Sequence, residues 1–61
     1  MKAIKTLREA LGLSQAKLAE KVGVTQAAIA RYENGDRLPG IQIAFKIANT
    51  LNCTIDDLMK D

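Results

Sequence analysis

The side chains best suited to bond an ordered partner at two points stand in one stretch of the chain. Gln26 carries an amide that donates and accepts side by side, the pattern an adenine edge answers in the major groove of DNA. Arg31 carries a guanidinium fork that suits guanine or a phosphate. Ala27 and Ala30 are too small to obstruct a groove and can touch a thymine methyl. Gln15 stands where a helix would begin, beside amides that bind phosphate well. This is the chemistry of recognition. Catalysis has little to work with: there is no histidine and Cys53 is the lone cysteine, so neither a thiol–base pair nor a four-ligand zinc site can form. A Gly-rich phosphate loop is absent, and none of the seven carboxylates is forced by sequence into a buried pair. No enzymatic activity, metal, cofactor or small-molecule substrate is expected.

These side chains need helices to position them, and the sequence supplies the caps. Ile4, Leu7 and Leu11 recur at helical spacing, and Gly12 stops the run. Ser14 offers an N-cap to a helix carrying Leu18, Ala19 and Val22, which Gly23 ends. Thr25 caps a third helix whose inward stripe is Ile29 and Tyr32, ending at Asn34-Gly35. Between the two, Gly23 allows a tight turn, Val24 plugs the corner, and Ala19 is small where the helices approach. Positions 26, 27, 30 and 31 are then left on the exposed face.

Gly35 to Gly40 is the strongest loop signal. Beyond it, Ile41, Phe45, Ala48 and Leu51 form a helical stripe flanked by Ile47. Ile43 falls off the stripe, as core or as an exposed apolar contact. Asn52 is a C-terminal cap, Thr54 to Asp57 resembles a capping box, and Ile55, Leu58 and Met59 return to the core. Nothing alternates with period two for long. The expected fold is all-α: a compact five-helix bundle, residues 1–61 forming one domain.

A chain of 61 residues buries only about 60% of its unfolded surface, so its stability is marginal. No disulfide is available to reinforce it, and a partner copy is the remaining help. The lone cysteine fits a reducing compartment. No apolar run approaches the roughly 20 residues that span a bilayer, and MKAIKTLREALGL is too interrupted by charge for a signal peptide. A cytoplasmic protein is expected. The net charge of +2 conceals an asymmetry: residues 1–31 hold six bases and two acids, residues 32–61 three bases and five acids. The basic half suits a polyanion.

LREALGLSQAKLAEKVGV, TQAAIARYENG, the proline loop, IANTLN and TIDDLM together resemble the phage-repressor and Cro-like helix-turn-helix regulators, the XRE family, from about Ile4 to Met59. The resemblance implies a lambda-repressor-like domain whose helices 2 and 3 form the helix-turn-helix. It implies that Gln15 contacts phosphate and braces the third helix. Base reading falls to Thr25, Gln26 and Ala27, with Arg31 one turn later. Asn34 donates to phosphate, and Arg8 with Glu33 forms an internal salt bridge. One departure matters. Family loops after the third helix often carry several bases, whereas Asp36-Arg37-Leu38 carries one base and one acid, so phosphate affinity there rests on Arg37.

The expected function is sequence-specific binding of double-stranded DNA by a regulator, a repressor in the first instance, paired as a homodimer on a palindromic operator. The expected dimer surface is the Asn52-Cys53-Thr54 turn with Asp56 to Lys60. Three alanines within residues 27–30 make direct readout sparse, leaving a share of specificity to DNA shape. Those sparse readers and the acidic C-terminal half also suit an alternative: a protein-interaction module, antirepressor or antitoxin-like, that keeps the fold without reading DNA.

Overall fold

Hydroxyl side chains start three of the helices. Ser14 Oγ accepts from the Lys17 amide at 3.0 Å, and Thr25 Oγ1 from the Ala28 amide at 3.1 Å. Thr54 and Asp57 cap each other reciprocally, at 3.0 and 3.1 Å. The computed structural model describes residues 1–60; Asp61, counted above in the acidic half, lies outside them. Five helices follow in order: α1 Lys2–Ala10, α2 Gln15–Val22, α3 Gln26–Asn34, α4 Ile41–Thr50 and α5 Ile55–Met59. No strand occurs among the described residues. The fold is the expected all-α five-helix bundle.

Helix ends are set by left-handed residues. Gly23 closes α2 at φ 83°, and the amides of Gly23 and Val24 both reach Ala19 O, at 2.8 and 3.0 Å. A Cβ at Gly23 would meet nothing within 4 Å, so glycine is needed for its backbone angle and not for space. Asn52 takes φ 56°, the one non-glycine residue with positive φ among those described.

α3 packs on α2 and α1, α4 on α2 and α5, and α1 on α5. Ile4, Leu18, Ala19, Val22, Ile29, Tyr32, Ile47, Ala48, Leu51 and Leu58 fill the centre. Val24, Ile43, Ile55 and Cys53 are half-buried against them.

Four apolar expectations are corrected. Leu11 lies beyond the end of α1 and is exposed, and Arg8 takes the buried place on that helix. On α4, Ala44, Ile47 and Ala48 turn inward, while Ile41 and Phe45 stay outside. Small alanines let α4 approach its neighbours closely; the larger stripe would hold it away. Met59, in the last position of the short α5, is exposed as well, while Leu58 is fully buried.

Candidate nucleic-acid interface

The polar centre of the molecule ties α3 to the segments before it. Arg8 Nε donates to Glu33 Oε2 at 2.7 Å and its Nη2 to Oε1 at 3.2 Å. Its Nη1 donates to Leu13 O, in the turn before α2, at 2.7 Å. Gln15 Nε2 adds a third hydrogen bond to Glu33, on Oε1 at 3.0 Å. Arg8 and Glu33 are each only 7% exposed, so their charges depend on this mutual satisfaction. Burial works to raise the Glu33 pKa, but hydrogen bonds from Arg8 and Gln15 and the charges of Arg8 and Lys5 hold it below the usual carboxylate range. The hydrogen bond to Glu33 outweighs burial at Arg8 and raises its pKa further.

The latch fixes two features that face outward. Gln15 keeps one amide hydrogen and its carbonyl oxygen for an external partner. It stands at the first position of α2, where the opening amides point out of the helix. α3 is pinned by Glu33 on its inner side, together with Ile29 and Tyr32. Its outer side presents Gln26, Ala27 and Arg31, all exposed, with Ala30 half-buried. Gln26 and Arg31 make no side-chain hydrogen bond or ion pair among the described residues. From Ala27 to Arg31 is one helical turn, about 6 Å of rise, or roughly two base-pair steps of duplex.

Residues 4–58 match a family model described as helix-turn-helix, which spans nearly the whole chain. The chain belongs to the helix-turn-helix regulators of the phage-repressor and Cro-like, or XRE, type. The HTH-type transcriptional regulator YgzD of Bacillus subtilis is 40% identical over 55 residues, 90% of this chain and 83% of YgzD. The cryptic phage CTXphi transcriptional repressor RstR of Vibrio cholerae serotype O1 is 35% identical over 51 residues, 84% of this chain and 46% of RstR. The N-terminal DNA binding domain of SinR from Bacillus subtilis superposes with a TM-score of 0.85 at 30% identity, covering 95% of this chain and 86% of that one. As a member of this family the chain is a regulator, not an enzyme.

Within the helix-turn-helix, the named residues fall on two levels. Gln26, Ala27 and Arg31 share the outer side of α3; Thr25 is the exposed residue just before it, and its hydroxyl oxygen is already used as the helix cap. Gln15 and Asn34 stand at the start of α2 and the end of α3, and Arg37 is exposed in the loop that follows. Arg8 and Glu33 lie behind them, in the latch. Sequence reasoning missed the Leu13 carbonyl as a partner of Arg8, because a backbone acceptor in a turn leaves no side-chain signature. It also set aside Lys5, which the fold brings to the end of α3. Cys53 has its thiol pKa pushed up by burial and by the nearby Asp57 carboxylate, so it is a poor nucleophile. No helix among the described residues is long and apolar enough to cross a membrane.

Proposed function

We propose that residues 1–61 form one DNA-binding domain of a cytoplasmic, sequence-specific repressor that sets α3 in the major groove. The observation that carries this reading is the outer side of α3. Gln26, Ala27 and Arg31 are exposed, their side chains make no hydrogen bond or ion pair among the described residues, and they sit on a helix pinned from behind by Glu33, Ile29 and Tyr32. In this reading Thr25, Gln26, Ala27 and Arg31 meet base edges, and Gln15, Asn34 and Arg37 hold phosphates and set register. Repression is the sign named for the relative RstR.

A reader covering two base-pair steps needs a second copy to specify an operator. An apolar ledge of the right size is present. Leu38, Ile41 and Met59 line one small cavity, and Phe45 continues the stripe one turn along α4. These four are 70%, 64%, 62% and 54% exposed, which amounts to on the order of 400–500 Å² of apolar surface. One side of a standard interface is about 800 Å², somewhat more than half of it apolar. A second copy of this chain is the occupant proposed, giving a homodimer on a palindromic operator. Met59 belongs to the expected surface at Asp56 to Lys60, and the ledge extends that surface onto α4 in preference to the Asn52-Cys53-Thr54 turn, which exposes no large apolar side chain.

Selection of bound sequences from a random duplex pool tests the reading. Two inverted half-sites about one helical turn apart are expected. No measurable duplex binding even at low salt would overturn it and favour the interaction-module alternative.

A further inference from the structure

One turn before Arg8 on α1, Lys5 approaches the end of α3 from outside the latch. An open groove of about 580 Å³ separates the first half of α1 from the C-terminal end of α3. Lys2, Lys5, Asn34 and Gly35 line it, together with Glu9 and Glu33. Lys5 forms no salt bridge with either acid among the described residues. Glu33 is hydrogen-bonded by Arg8 and Gln15, and the Lys5 charge acts on it only through space. Glu9 lies four residues beyond Lys5, about 6 Å along the axis, and the two form no ion pair among the described residues. Elsewhere Lys17 pairs with Glu20 at 3.6 Å and Lys60 with Asp57 at 3.9 Å; the exposed Lys5 has no such ion-pair partner among the described residues.

At the end of α3, two of the last four carbonyls are already occupied. Its last carbonyls would ordinarily repel an anion, but Tyr32 O accepts from the Gly35 amide at 3.3 Å and Arg31 O from the Asp36 amide at 3.0 Å. Asn34 is exposed within the groove. A lysine suits such a place, being a flexible point charge and not a planar reader.

We infer that this groove is a phosphate site, in which Lys5 holds a duplex phosphate neighbouring the one reached by Asn34. The inference rests on the DNA-binding reading above. It also accounts for a poverty noted in the sequence. The loop after α3 offers one base, Arg37, beside the acid Asp36, and α1 supplies the charge that the loop lacks. The contact contributes affinity and register without sequence preference.

The test compares salt series for the parent, Lys5→Gln, Lys5→Arg and Lys46→Gln on the selected operator and on an unrelated duplex. Lys46 is exposed on α4, outside the groove. Lys5→Gln should make the slope of log affinity against log salt shallower by about one. Its affinity should fall by a similar factor, roughly three- to tenfold at low salt, on both duplexes. Lys5→Arg and Lys46→Gln should keep the parental slope. An unchanged slope in Lys5→Gln while the parent binds normally overturns the phosphate site and leaves the DNA reading intact. A loss confined to the operator also overturns it, because that is base reading. Failure of the parent to bind either duplex removes the DNA reading and this site with it.

Discussion

The two ends of the molecule are held by opposite means. At the α1–α3 end, buried charge does the fastening: Arg8, Glu33 and Gln15 satisfy one another, and every buried polar side-chain atom described has a partner. At the α4–α5 end the fastening is apolar, and part of the apolar surface is left over, on Ile41, Phe45, Met59 and the adjoining Leu38. A buried ion pair is intolerant, because removing one partner strands the other. An exposed apolar surface is tolerant within the monomer and consequential only when something covers it. Damage at the first end should therefore reach the fold, and damage at the second should reach assembly.

Glu33→Ala should have the largest effect. It strands the Arg8 guanidinium and frees Gln15, at a cost of about 3–5 kcal/mol. That is comparable to the whole stability of so short a chain. A thermal melt equal to the parent's would break the contrast at its stronger end. Gln26→Ala touches neither end. It should leave the melt unchanged, weaken the preferred operator by about 1–3 kcal/mol and relax selection at one base pair; retained selectivity would remove Gln26 from the reading face. Ile41→Glu should leave the monomer's melting temperature within the range of ordinary surface changes, about 0.5 kcal/mol. It should abolish concentration-dependent pairing in sedimentation and weaken operator binding by about tenfold, or 1.4 kcal/mol. Pairing that survives this charge would mean that the ledge is not the interface.

The smallest effect is a pH dependence. Glu33 releases its proton more readily folded than unfolded. Its contribution is thus complete at neutral pH and holds down to the unfolded carboxylate value of about 4.3. Below that the unfolded chain takes up the proton first, and the contribution is lost as pH falls on through the lower folded value. Asp57, held low by its hydrogen bonds with Thr54, acts in the same direction. Acid melts of Glu33→Gln should lose part of this slope, whereas Ile41→Glu should retain it.

Three of the five helix starts, and the stops of α2, α3 and α4, were legible because they depend on single residues. Ser14, Thr25 and Thr54 cap where their hydroxyls predict, and Gly23, Gly35 and Asn52 take the left-handed angles that end helices. The stripe of α4 was not. That helix carries Ile41, Ile43, Ala44, Phe45, Ile47 and Ala48 around most of its circumference, so two stripes satisfy the same periodicity. Close approach to α2 decides between them, and a tertiary contact leaves no local trace. The separation of α3 into inner and outer sides was readable from Ile29 and Tyr32. The Lys5 groove was not, because Lys5 and Asn34 are far apart in sequence and come to line one groove only once α1 packs on α3.

Gly23, Thr25 and the latch fix the pose of α3 without help from its outermost side chains. Gln26, Ala27 and Arg31 are consequently interchangeable parts: replacing them leaves caps, packing and buried charge untouched. A chain so divided can change its target sequence in a few substitutions while keeping the same scaffold. Ala27 is the simplest vacancy to fill, and a longer polar side chain there would be the first place to look for a retargeted variant.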